Sequence, residues 1–161
     1  MFMCNQRLDH KQVAIQADML NLRLRQKDYF AIAIIAPQLM VQIIDLISQD
    51  FLEWADRKGF TRIPVEEMQV NELIAKLEKQ DSDRLIISRA FAGLFEEEQD
   101  KNPNALKDFK SNFQKIESLI ALRNRFAHEY FQVDYSSKAT ASIAQGGIEL
   151  VNKLITRMGN A

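Results

Sequence analysis

Residues 106–130 read LKDFKSNFQKIESLIALRNRFAHEY, and the placing of their apolar side chains decides the fold. Leu106, Phe109, Phe113, Ile116 and Ile120 recur in steps of three and four, and the same line continues through Arg123 to Ala127 and Tyr130. Such steps gather side chains on one face of an α-helix, so the spacing predicts one long amphipathic helix. Arg123 interrupts that stripe. A guanidinium facing a core is costly unless it meets a carboxylate or an anion. At about 100° per residue, Asn124 and His128 fall one turn apart on an adjoining face. Arg123, Asn124 and His128 therefore address one groove beside the core line.

On either side of this helix the punctuation is clear. Lys101-Asn102-Pro103-Asn104 breaks the chain before it, with Asn104 placed to cap it, and Asp134-Tyr135-Ser136-Ser137 reads as a turn after it. A final helix then runs to about Arg157 on Ile148, Val151, Leu154, Ile155 and Met158, with Gly146-Gly147 weakening or bending its start. Upstream, Ile86, Ile87, Phe91, Leu94 and Phe95 outline another helix, with polar capping residues at Gln80-Asp81-Ser82-Asp83. It ends in Glu96-Glu97-Glu98, the unfavourable end of the helix dipole for acids, and the run reads as solvated.

The first helix spans about Leu8 to Gln26 on Val13, Ala17, Leu20 and Leu24, and Arg23, Arg25 and Lys27 suit its negative C-terminal end. The apolar run Phe30 to Ala36 meets Pro37, where the helix either kinks or restarts. Met40, Ile43, Ile44, Ile47, Phe51, Trp54 and Ala55 then make a wide core face that ends at Lys58-Gly59. A loop at 61–64 and a short helix on Val70, Leu73, Ile74 and Leu77 follow. Five glycines and three prolines are too few to punctuate a β-sandwich or barrel. The expectation is an all-α, five- to six-helix antiparallel bundle, a single domain over residues 1–161.

Composition narrows the functional classes. Hydrophobic residues at 47% and charged residues at 27% argue against disorder and against a coiled-coil rod. The single cysteine, Cys4, leaves no internal disulfide and no cysteine-based zinc cluster. His10 and His128, the only histidines, fall on different helices, so the expectation is a chain with no metal and no cofactor. No leader-like start opens the chain, and no stretch reads as apolar and uncharged for the ~18 residues a membrane span needs, so a cytoplasmic protein without a membrane partner is expected. The net charge of -1 hides an asymmetry: residues 1–100 carry 12 Lys and Arg against 17 Asp and Glu, residues 101–161 carry 9 against 5. The basic third holds the motif, and a local basic surface at Arg123 and Arg125 can hold a phosphodiester.

An imidazole and a guanidinium held together, without an acidic dyad, a strained serine elbow or a phosphate-binding glycine loop, suit one reaction in particular. That reaction is phosphodiester transesterification in RNA. Neutral His128 takes the proton from a ribose 2'-OH while Arg123 pairs with the phosphate as charge builds on its oxygens. Asn124 orients His128 or donates to the same phosphate. The products are a 2',3'-cyclic phosphate and a 5'-hydroxyl. One imidazole supplies one proton transfer, and a second copy of the motif from a dimer partner would supply the matching acid. The alternative is structural: Arg123 pairs with a carboxylate such as Glu117 or Glu129, and His128 hydrogen-bonds a carbonyl at the helix end.

The string Arg123-Asn124, three residues, His128-Glu129-Tyr130 resembles the motif of the HEPN superfamily, an arginine and polar residue followed by a histidine. Tyr130 and the continuation Phe131-Gln132-Val133-Asp134 look most like the HepT-like toxin branch. The resemblance is sharp over Leu119 to Asp134. It implies a HEPN-like helical bundle that dimerises with its two motifs facing across a cleft and acts as a metal-independent endoribonuclease of toxin or defence type. Arg123 and His128 would be the catalytic pair and Asn124 their polar neighbour. Tyr130 would be the residue that a partner nucleotidyltransferase antitoxin modifies with AMP, placing negative charge and bulk in the cleft. Other members of the superfamily are non-catalytic nucleotide- or RNA-binding or regulatory modules.

Overall fold

The computed structural model describes the backbone of residues 8–57, 72 and 82–159, and the side chains of residues 8–47, 72 and 83–159. Among the described residues the chain is all-helical: α1 (His10–Arg25), α2 (Tyr29–Arg57), α3 (Ser82–Glu98), α4 (Ala105–Glu129), a 3-10 turn (Tyr130–Gln132) and α5 (Lys138–Gly159). The side chains of Phe51, Trp54 and Ala55, the Lys58-Gly59 cap, the loop at 61–64 and the short helix expected on Val70 to Leu77 lie outside them.

Helix α1 starts at a reciprocal cap. Asp9 Oδ1 accepts from the Gln12 N–H at 2.8 Å, and Gln12 Oε1 accepts from the Asp9 N–H at 2.9 Å, an arrangement that contributes about 1 kcal/mol. At its other end Lys27 takes a left-handed φ of 58°, so that the Lys27 N–H donates to Leu24 O at 3.0 Å and the Asp28 N–H to Arg23 O at 2.9 Å. This closes the carbonyls that a helix leaves open and reverses the chain in three residues. Asp28 Oδ1 then accepts from the Ala31 N–H at 3.2 Å and starts α2.

Helix α2 runs through Pro37 as one element. Of the two alternatives, a kink or a restart, the restart does not occur: both sides of the proline are anchored in the core, with Ile32, Ala33, Ala36, Met40 and Ile43 completely buried. The other four helices all touch α2. Its Tyr29–Ile47 segment, 19 residues at mean hydropathy 2.0, is by length and composition apolar enough to cross a membrane, which corrects the expectation that no segment is. Asp45 is its only charge. A helix apolar nearly all round suits a bilayer or the middle of a bundle, and here 44% of the segment is buried against the other helices.

Helix α3 buries Ile87, Ala90, Phe91 and Phe95, and leaves Ile86 facing outward. Its acidic end is not simply solvated. Glu97 accepts two hydrogen bonds from Arg157 of α5, at 2.8 and 2.9 Å, a forked pair that ties α3 to α5. Glu98 is exposed.

Helix α4 confirms the long amphipathic stretch with one shift of register. The buried line is Phe109, Ile116, Leu119, Ile120, Leu122 and Phe126, while Ala127 and Tyr130 are exposed. Beyond Ile120 the core follows Leu122 and Phe126, one position from the expected line, which leaves Arg123 at the edge of the core. Asn104 occupies the cap position without a side-chain cap bond. Asn102 ties the breaker instead, accepting from the Asn104 N–H at 2.9 Å and donating to Asp108 Oδ2 at 3.0 Å.

The turn at 134–137 forms as expected. Asp134 Oδ1 accepts from the Ser136 N–H at 2.9 Å and from Ser136 Oγ at 2.6 Å, and these bonds hold its carboxyl below the usual range. Ser137 Oγ accepts from the Ala139 N–H at 3.1 Å and starts α5. Helix α5 continues unbroken through Gly146 and Gly147. A Cβ at Gly147 would stand 3.0 Å from Leu119 Cδ1, so the glycine is what lets α4 and α5 approach so closely there.

Candidate functional site

The motif occupies the last turns of α4. Asn124, Arg125, Ala127, His128 and Glu129 are exposed on it, while Leu122 and Phe126 anchor the same turns in the core. Arg123 lies between these sets. Its Nη1 donates to Asp83 Oδ2 at 3.0 Å, across to the first turn of α3. The Arg123 side chain is 17% exposed and that of Asp83 37%. The carboxylate that a core-edge arginine requires is therefore Asp83, forty residues earlier, rather than Glu117 or Glu129. Arg123 Nη2 also lies 3.5 Å from Asn124 Oδ1, a long contact that orients the amide toward the guanidinium.

Of the residues singled out in the sequence, Asn124, Arg125 and His128 share an open surface, with Arg123 beside it. Among the described residues no hydrogen bond or ion pair engages the His128 imidazole, so it is not the helix-end carbonyl partner that the structural alternative required. Arg125 and His128 are three apart and neighbours on the helix surface, as are Asn124 and His128 at four.

Tyr130 sits in a cluster of rings. Glu129 departs from helical backbone at φ -139°, ψ 41°, and the 3-10 turn brings Tyr130 against Phe30 at 5.5 Å, Phe126 at 5.9 Å, Phe131 at 5.3 Å and Tyr135 at 6.5 Å between centroids. Tyr130 remains 43% exposed. Tyr135 closes the cluster from below, stacked on Tyr29 at 5.6 Å, with its hydroxyl accepting from the Phe30 N–H at 3.2 Å. Burial, with the adjoining Tyr130 hydroxyl, pushes the Tyr135 phenol up to about 12.

Sequence reading did not single out Asp83, Phe30 or Tyr135 as parts of this site. Asp83 and Phe30 come from other helices, and no local spacing points to them. Tyr135 follows Tyr130 by five residues across a break in the helix, where helical periodicity has no bearing. A separate open groove of about 380 Å³ lies between α4 and α5, lined among others by Ser111, Lys115, Ser142 and Glu149, and includes no motif residue. Beside it Lys153 Nζ donates to Asn112 Oδ1 at 2.6 Å, and burial together with nearby Lys115 lowers the pKa of that amine.

Compared with known protein families, curated proteins and solved structures, the chain matches none.

Proposed function

We propose that this chain is a HEPN-like, metal-independent endoribonuclease that cleaves RNA by attack of a 2'-OH on the adjacent phosphodiester. The single observation that carries the reading is the open face at the end of α4, where His128 stands unengaged among the described residues beside Asn124 and Arg125, with Arg123 fixed at its edge by Asp83. His128 acts as the base on the ribose hydroxyl, and Arg123 and Arg125 hold the phosphate. Asn124, within reach of the Arg123 guanidinium, directs its amide at the same anion. DNA, without a 2'-OH, is not cleaved. The active species is a homodimer with two motifs lining one cleft, restrained by a nucleotidyltransferase antitoxin that modifies the exposed Tyr130 with AMP.

One observation favours a second reading, a non-catalytic RNA-binding or regulatory module: the 3.0 Å Arg123–Asp83 pair gives Arg123 a structural role. Incubating purified protein with mixed RNA in the presence of EDTA, beside Arg123→Ala and His128→Ala, separates the two. Cleavage by the parent alone, leaving cyclic phosphate ends while both variants stay folded, is the expected result. Intact RNA with a dimer whose Tyr130 is free of AMP by mass spectrometry would establish the second reading.

A further inference from the structure

Phe131 is 96% exposed on the turn that follows His128. A single exposed apolar side chain is ordinary on a protein surface, and this one contributes nothing to the core. Its setting is what gives it meaning. Tyr130 meets it edge to face, with ring centroids 5.3 Å apart and planes at 89°. Tyr130 is in turn held at 83° by Phe30, and at 5.9 Å by Phe126, which is buried. The two outer rings thus make a right-angled corner whose inner wall is fixed to the core, while its outer wall is open.

The chain on either side of this corner is polar. Asn124, Arg125, His128, Glu129 and Gln132, all within seven residues of Phe131, are exposed. A protein partner docking through apolar contact would call for a broad apolar area, whereas the exposed apolar surface here is limited to Phe131 with the partly exposed Tyr130 and Phe30 behind it, next to charged and amide side chains. The corner suits a flat ligand with apolar faces and polar edges, attached to a backbone whose negative charge meets Arg125 and the imidazole. A nucleobase in a single strand has those properties.

We propose that Phe131 and Tyr130 form a stacking corner for one unpaired base of single-stranded RNA, whose adjoining phosphate lies against Arg125 and His128. This rests on the ribonuclease reading and deepens it by naming the substrate class. In a duplex each base is stacked on its neighbours and unavailable to the rings, so the site selects a strand whose base can be splayed out. Stacking is tolerant of base identity, so the corner sets strandedness rather than sequence.

The test is binding without turnover. A short fluorescent RNA with every ribose 2'-O-methylated, which blocks the attacking hydroxyl, is titrated with the full chain by anisotropy, as single strand and as duplex. The variants are Phe131→Ala, Phe131→Leu and Phe131→Trp, with sedimentation run on each. Expected are preference of the parent for the single strand, a loss of about tenfold (~1.4 kcal/mol) in Phe131→Ala and Phe131→Leu, and parental or tighter affinity in Phe131→Trp, with oligomeric state unchanged. Leucine rescuing as well as tryptophan would overturn stacking. Conversion of a dimer to a monomer by Phe131→Ala at unchanged affinity would assign the ring to a protein contact and overturn it as well. Parental affinity in Phe131→Ala overturns the corner alone, whereas failure of the parent to bind single-stranded RNA overturns the ribonuclease reading with it. The ring is so exposed that loss of folding in any variant, read by circular dichroism, would itself contradict the placement of Phe131.

Discussion

Replacing Gly146 and Gly147 one at a time with alanine should move stability in opposite directions. Both lie inside α5, where alanine is better than glycine by about 1 kcal/mol because glycine surrenders more backbone freedom. At Gly146 the added Cβ comes no nearer than 3.4 Å to Lys115 Cγ, part of a flexible side chain. Gly146→Ala therefore keeps most of the helical gain, about 0.5–1 kcal/mol. At Gly147 the same atom would stand 3.0 Å from Leu119 Cδ1 and 3.2 Å from Cδ2. Leu119 is completely buried, so it cannot swing away without displacing its neighbours. Overpacking of this kind costs ~1–3 kcal/mol, which exceeds the helical gain and leaves a net loss of about 1 kcal/mol. At about 2–4 °C per kcal/mol for a chain of this size, the two variants should melt roughly 3–8 °C apart. Thermal and urea unfolding followed by far-ultraviolet circular dichroism reads the difference. A Gly147→Ala protein as stable as Gly146→Ala would refute the close seating of α5 on Leu119, and with it the packing that fixes the motif helix.

Two further perturbations test the surroundings of the motif. Asp83→Ala removes the partner of Arg123 in a pair that is partly exposed, so the expected loss is about 0.5–1 kcal/mol, smaller at high salt than at low salt; a loss that ignores ionic strength would mean that the ion pair is not what Asp83 contributes. Tyr135, whose folded pKa of about 12 lies above its ordinary value, stabilises the fold fully below about pH 10, and that contribution is lost as pH rises towards 12. Ultraviolet titration of the native protein should show one tyrosine ionising late. Tyr135→Phe should remove that step and flatten the alkaline fall in stability, and a late step that survives the substitution would assign it to Tyr29 or Tyr130.

The helical class and most helix limits were legible because the signals are local: the breaker at Lys101–Asn104, the Asp134–Ser137 turn and the three- and four-residue apolar spacing each act within a few residues. The core line of α4 was misread after Ile120 for a geometric reason. Rows through Leu122 and Phe126 and through Arg123 and Ala127 differ by a single position, about 100° of rotation, and spacing alone ranks them poorly when both contain apolar residues. The partners of charged groups were illegible for a different reason. Asp83 reaches Arg123 over forty residues and Glu97 reaches Arg157 over sixty, so the pairing exists only once α3 is laid against α4 and α5. At Pro37 the local rule about backbone donors left a kink and a restart open, and burial on both sides of the proline, from Ile32 to Ile43, is what excludes the restart.

The placing of the two histidines bears on how the proposed reaction is completed. Phe30 packs against Phe126 at 5.4 Å, which sets the turn between α1 and α2 beside the motif end of α4. His10 opens α1 at the opposite end, fifteen residues before Arg25, or about 22 Å along the helix axis. It cannot reach the groove beside His128. Transesterification takes a proton from the 2'-OH and returns one to the departing 5'-oxygen, and those two events fall on opposite sides of the phosphorus when attack and departure are in line. One His128 can stand on only one side. Arg123 cannot serve as the acid, since a guanidinium does not give up its proton near neutral pH. The reaction proposed for this face therefore needs an acid on the far side of the phosphorus, and in the proposed homodimer the His128 of the second copy, carried on an identical helix end, would be that group.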